Sequence, residues 1–204
     1  MLNPAGPRRI GVFGSAFDPP HAAHRALVEA ALNQLALDRL LLLPTGQAWH
    51  KPQPLSAAKH RLAMAQAAFA DLPQVAVDAR EIDRPGPSYT VDTLAELAQE
   101  HPQALWFLVL GADQAQALTT WKHWQTLLSI ATLCVAPRAD PASADGLFDA
   151  EKISGKRFLR LHCPVSNLSA TAVRQAIAQG QDVYALVSPA VARYIATHHL
   201  YTLH

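Results

Sequence analysis

Near-continuous apolar runs, each closed by glycine or proline and separated by helix-length segments, constrain this chain more than any other feature. They are Arg39 to Leu43, closed by Pro44 and Gly46; Ala104 to Leu110, closed by Gly111; and Ala131 to Ala136, closed by Pro137. A strand with one wet face alternates apolar and polar residues, so a near-continuous apolar run marks a strand covered on both faces. Such strands, alternating with helices, make a parallel sheet with helices on either side. The expected fold class is α/β, a Rossmann-like doubly wound parallel sheet. Shorter strands are expected at 9–13, 75–78 and 157–162. Helices are expected over 24–37, from Ser56 to about Ala70, through Leu94 and Leu97, from Ser169 to Ala178, and from about Ser188 to His198. Residues 140–156 lack periodicity and read as a surface excursion.

At 204 residues, half of them hydrophobic, the chain can bury one substantial core. It reads as one domain over 1–204, with residues 163–204 or so a helical C-terminal portion. A formal net charge of +1 supplies no basic stripe, so neither nucleic acid nor an anionic membrane surface is an expected partner. No apolar run approaches the roughly 20 residues of a membrane span. Residues 1–9 hold no apolar core of a signal peptide. Cys134 and Cys163 belong to no C-x-x-C pair and read as buried free thiols of a reducing compartment. A cytoplasmic location follows as an expectation, and a homo-oligomer stays open.

In a doubly wound sheet, ligands bind where strands end. The first strand ends in Gly14-Ser15-Ala16-Phe17-Asp18-Pro19-Pro20-His21-Ala22-Ala23-His24, which then opens a helix. This is neither a Walker A loop nor a G-x-G-x-x-G fingerprint. Gly14 and Ser15 let backbone N–H groups approach an anion, and the helix start adds its positive dipole end. His21 and His24, three apart, can share one face and donate to the same phosphate oxygens. Near the other end, Ser169 can cap a helix while Thr171 and the Arg174 fork face an anion. Alone, that second segment reads as an ordinary capped helix; beside the first, it reads as a polyphosphate site.

The opening segment resembles the G-x-F-D-P-x-H-x-G-H signature of the nucleotidyltransferase α/β-phosphodiesterase superfamily. Residues 168–174 resemble that superfamily's I-S-S/A-T-x-x-R motif, with Leu168 in the Ile position. Two departures stand out. Ala16 replaces a usual Thr or Ser, removing a hydroxyl donor, and Ala23 replaces the usual Gly between the histidines. Pro44-Thr45-Gly46-Gln47-Ala48-Trp49-His50-Lys51 resembles the P-x-x-x-P-P-H-K loop of nicotinate-mononucleotide adenylyltransferases. Ser88-Tyr89-Thr90-Val91-Asp92-Thr93-Leu94 matches their S-Y-T-x-x-T-L, and Gly111-Ala112-Asp113 followed by Trp121 matches their G-x-D and Trp pattern.

The resemblance implies adenylyl transfer from ATP to nicotinate mononucleotide, giving a dinucleotide precursor of NAD and pyrophosphate. His21, His24 and Arg174 would be catalytic. Gly14, Ser15, Phe17, Asp18, Arg138, Ser169 and Thr171 would bind ATP and its phosphates. Thr45, Gly46, Lys51, Tyr89, Thr90, Asp113 and Trp121 would bind the nicotinate nucleotide, with Asp113 on ribose hydroxyls and Trp121 on the pyridine ring. Mg²⁺ would accompany ATP, held mainly by phosphates. The alternatives are the same chemistry on nicotinamide mononucleotide or pantetheine phosphate, and a non-catalytic nucleotide-binding or metal-binding protein.

Overall fold

The computed structural model describes residues 6–46, 55–136, 151–164 and 166–202. Arg138 and Lys51, with the Trp49 loop, lie outside the described residues. The sheet consists of β1 (Arg9–Ser15), β2 (Arg39–Pro44), β3 (Val75–Val77), β4 (Leu105–Gly111), β5 (Ala131–Ala136) and β6 (Phe158–Arg160). All pairings are parallel, in the order β3-β2-β1-β4-β5-β6. That order reverses between β1 and β4, so the crevice expected of a doubly wound sheet opens beyond Ser15 and Gly111.

The near-continuous apolar runs arise because adjacent residues face different helix layers. Val12, Leu41, Leu43, Leu108 and Leu110 face one layer, where they pack with Leu94, Leu97 and Leu127. Those residues come from α4 (Thr90–Glu100) and α6 (Trp124–Ile130). Phe13, Leu40, Leu42, Phe107 and Val109 face the other layer, built from α1 (Ala22–Gln34), α2 (Ala58–Phe69), α7 (Ala170–Ala178) and α8 (Pro189–Thr197). Leu40, Leu42, Leu43, Leu108 and Leu110 are all essentially fully buried. Each such side chain contributes about 1.5–3 kcal/mol from removal from water. Val173, Val191 and Ile195 join the same core cluster as Val28 and Met64, so the C-terminal helices pack on the sheet.

The expected caps divide in an informative way. Ser169 Oγ accepts from Ala172 N–H and Ser188 Oγ from Val191 N–H, so α7 and α8 start where their hydroxyls direct. Ser56 does not cap α2, whose N-cap is Ala57; its backbone N–H goes instead to Asp18 Oδ2 at 3.0 Å. A short helix, α3 (Arg80–Asp83), precedes the Pro-Gly break, and α5 (Ala112–Gln116) follows β4 directly. The strand expected over 157–162 shrinks to β6, and Cys163 falls beyond it, half-buried, while Cys134 is buried within β5. Of the expected excursion at 140–156, residues 140–150 lie outside the described residues. Among the described residues, no helix is long and apolar enough to cross a membrane.

Candidate active site

The loop from β1 to α1 is held from beneath by aromatic packing. Phe17 is fully buried, with its ring 5.6 Å from Phe13, 6.2 Å from Phe69 and 5.1 Å from His24. Its side chain is therefore committed to the core, and only its backbone is left to meet a phosphate. The Asp18-Pro19 bond is cis. His21 and His24 lie nearly stacked, ring centroids 3.8 Å apart. The His21 N–H donates to His24 Nδ1 at 3.2 Å. His24 Nδ1 is thus an acceptor, which places the proton of a neutral ring on Nε2, 3.1 Å from Ser15 Oγ. His21 Nδ1 is buried without a hydrogen-bond partner, and burial holds the His21 pKa down to about 4. The His21 ring accordingly suits neutral donation to phosphate oxygens at neutral pH, and His24 presents its Nε2 beside Ser15.

Ser15 carries the histidine pair to the edge of a cavity of about 440 Å³ beyond the β1–β4 crevice. Gly14, Thr45, Tyr89, Thr90, Asp113 and Trp121 all line it. The sequence segments after β1, β2, β4 and before α4 therefore meet in one space. Gln114 Nε2 donates to Gly14 O at 3.3 Å, tying the β4 end to the β1 end. Tyr89 does more than pack beneath the site: Lys122 Nζ sits 4.3 Å over its ring and 3.3 Å from Asp92 Oδ2. Trp124 packs half-buried against the core, as a structural residue would.

Gly46 does not line the cavity. It is wedged against α3, where a Cβ would stand 2.0 Å from the Glu81 carbonyl oxygen. The second phosphate segment reaches the first directly. Arg174 Nη1 donates to the Asp18 carbonyl at 2.8 Å, and its Nη2 to Thr171 Oγ1 at 3.3 Å. The Ser169 hydroxyl is spent on the cap of α7. The Asp18 carboxylate, 2% exposed, turns inward to Tyr201 and Ser56 rather than outward.

Some residues of this region went unanticipated. Glu81 lines the cavity, and burial raises its carboxyl pKa against the opposing pull of the hydrogen bond from Thr93 Oγ1 to Glu81 Oε1 at 3.0 Å. Arg61 is 2% exposed and donates to the Ser56, Ala16 and Gly46 carbonyls at 3.0, 2.9 and 3.3 Å. A signal for it existed: Arg61 occupies the stripe of Met64, Ala65 and Ala68, where helical spacing calls for an apolar side chain. Lys122 and Tyr201 carried no comparable signal.

Comparison with known proteins identifies the family and the fold. The cytidylyltransferase-like family matches residues 12–176. A probable nicotinate-nucleotide adenylyltransferase of Albidiferax ferrireducens is 57% identical over 194 residues, covering 95% of this chain and 98% of the relative. Another, of Methylibium petroleiphilum, is 41% identical over 206 residues, covering 98% and 95%. Among solved structures, the Plasmodium falciparum nicotinic acid mononucleotide adenylyltransferase complexed with NaAD superposes with a TM-score of 0.76 at 16% identity, over 95% of this chain and 97% of that one. A putative Vibrio parahaemolyticus nicotinate-nucleotide adenylyltransferase gives 0.68 at 19% identity, over 95% of each chain. These two structures speak to the fold.

Proposed function

Because the chain belongs to the nicotinate-nucleotide adenylyltransferases, within the cytidylyltransferase-like family, we propose that it makes nicotinate adenine dinucleotide and pyrophosphate from ATP and nicotinate mononucleotide. The observation that carries the reading is the meeting of both phosphate segments: Arg174 of α7 bonds the Asp18 carbonyl, three residues before His21.

The acceptor's 5′-phosphate oxygen attacks the α-phosphorus of ATP in line. One P–O bond forms, the bond to the bridging oxygen of the β-phosphate breaks, and pyrophosphate departs. No enzyme nucleophile is required, so the protein's work is alignment and charge stabilisation. His24, through Nε2–H, and His21 donate to the α- and β-phosphates, with Ser15 yielding its hydrogen bond to His24 as phosphate arrives. Arg174 and Thr171 hold the leaving pyrophosphate, and backbone N–H groups at Gly14 and Ser15 approach the donor phosphates. The cavity takes the acceptor, with Asp113 on ribose hydroxyls, Thr90 and Tyr89 at the start of α4, and Trp121 against the pyridine ring. Lys122, paired with Asp92, brings its ammonium to the wall, where it can also meet the acidic pyridine nucleotide. Arg138 and Lys51 remain proposed phosphate and acceptor ligands on sequence grounds.

The donor set at the phosphate end consists of imidazoles, hydroxyls and a guanidinium. Those groups bind phosphate oxygens rather than a hard cation, and they fit Mg²⁺ arriving on ATP's own oxygens. Such an ion supplies neutralisation of charge on the phosphates. The reading includes a cytoplasmic location, supported by the free thiols Cys134 and Cys163.

The test is initial-rate pyrophosphate release with ATP and, in parallel, nicotinate mononucleotide, nicotinamide mononucleotide or pantetheine phosphate. Release fastest by far with the nicotinate nucleotide is expected. A preference for either other acceptor overturns the acceptor, and no release with any overturns the activity.

A further inference from the structure

Asp18 occupies the middle of the phosphate loop, yet it points away from substrate. Its Oδ1 accepts from the Tyr201 hydroxyl at 2.6 Å, its Oδ2 from the Ser56 N–H at 3.0 Å, and its carbonyl from Arg174 at 2.8 Å. One residue thus joins the histidine loop, the entry to α2, the second phosphate segment and the chain beyond α8. Arg61 runs alongside, bonding Ala16 and Ser56 on either side of that junction, and it attracts Asp18 electrostatically.

Tyr201 is delivered to this junction by an unusual backbone course. After α8, His199 and Tyr201 adopt left-handed φ of 48° and 66°, a conformation that costs a non-glycine residue on the order of 1 kcal/mol or more. Leu200 N–H returns to the Ile195 carbonyl at 3.1 Å, turning the chain back on the helix. Burial, and then the bond to Asp18, raises the Tyr201 hydroxyl pKa, so it stays a protonated donor. A short O–H bond to a buried carboxylate is of the strong, charge-assisted kind. Its loss leaves Oδ1 buried without that donor.

We propose that Tyr201 is a positioning residue for the ATP half of the site, fixing Asp18 and through it the His21–His24 turn and Arg174. The inference rests on the adenylyl-transfer reading above. Its sharpest consequence is asymmetry: the cavity meets this junction at its Ser15–Ala16 end, through Arg61, whereas its acceptor wall of Tyr89, Thr90, Asp113 and Trp121 stands on other elements and is expected to change least when Tyr201 changes.

The test is Tyr201→Phe in the full chain, which keeps the ring and deletes only the hydroxyl. Steady-state pyrophosphate release is measured well below the melting temperature, with ATP and nicotinate mononucleotide varied in turn. Expected is a fall of about tenfold or more in kcat/KM for ATP, shared between a raised KM for ATP and a lower kcat, with KM for the acceptor within about twofold. A lowered melting temperature with wild-type kinetic constants would make Tyr201 a purely structural residue and overturn the proposal, as would an equal rise in both KM values. If Tyr201→Phe does not fold, Asp18→Asn is read in the same way, since it weakens the same junction from its other partner. A wild-type chain that releases no pyrophosphate removes the functional reading itself, and the proposal with it. An active wild type matched by its variant removes the proposal alone.

Discussion

Replacing Gly46 by alanine should damage the acceptor half of the site without touching a substrate contact. The added Cβ would stand 2.0 Å from the Glu81 carbonyl oxygen and 2.9 Å from its carbon. Real Cβ contacts are essentially never under 3.0 Å, so the two segments must separate by about 1 Å or more. Both sides are backbone, and no rotamer change relieves the clash. The separation pulls on the Ser88 hydroxyl, which donates to the same Glu81 carbonyl at 3.1 Å, and on Arg61, which bonds the Gly46 carbonyl. Thr45 on one side and Ser88 to Thr90 on the other are walls of the cavity. Overpacking of this kind costs about 1–3 kcal/mol. For a chain of this size that is a melting temperature lower by about 2–12 °C. A misplacement of about 1 Å in a positioning segment can cost on the order of 10²-fold in rate. The measurement is pyrophosphate release at saturating ATP over a range of nicotinate mononucleotide, paired with thermal denaturation followed by circular dichroism. Expected is a loss of ~10- to 10²-fold in kcat/KM for the acceptor. A Gly46→Ala enzyme with the parent's melting temperature and acceptor KM would refute the wedge.

Other consequences are equally open to measurement. His24→Ala should lower kcat by ~10²–10³, as for loss of a charge-stabilising donor, with kcat read on enzyme still folded at the assay temperature; near-full turnover would remove His24 from the chemistry. The His21 pKa lies near 4 in the fold and near 6.5 unfolded, so the unfolded chain binds the extra proton first. Its contribution to stability is complete above pH 6.5 and is lost as the pH falls towards 4, by up to about 3 kcal/mol. Melting temperatures taken across that window should fall with acid in the parent and fall less in His21→Asn; parallel curves would contradict the buried neutral ring. Glu81 is shifted the other way, so its favourable share is complete below pH 4.5 and is lost as the pH rises through its raised value. Glu81→Gln keeps an acceptor for Thr93 and should melt no lower than the parent at pH 7.5, and a clear drop there would show that the ionised carboxylate is stabilising.

The sheet was legible because its side chains are simple: Val12, Leu41 and Leu108 face one helix layer, Phe13, Leu40 and Val109 the other, and the polar residues of the strands fall mostly at their ends. Helix starts were legible where a hydroxyl does the capping, as at Ser169 and Ser188, and misread at Ser56, where a partner 38 residues away claims the backbone instead. The same division runs through the site. Residues proposed to meet substrate sit in short motifs at strand ends or helix starts, so Gly14, Ser15, Thr90, Asp113 and Trp121 could be picked out along the chain and reappear around one cavity. Residues that hold those motifs in place do so across long separations: Tyr201 to Asp18 spans 183 positions, and Arg174 to Asp18 spans 156. No local pattern encodes such a bond, except where it breaks one. Arg61 is the exception, a cation in the apolar stripe of α2 whose burial is tolerated because carbonyls from three loops receive it. A misplaced charge in an otherwise regular stripe is thus the sequence's own mark of the scaffold beneath the site, and it directs attention to Asp18 from the side opposite the histidines.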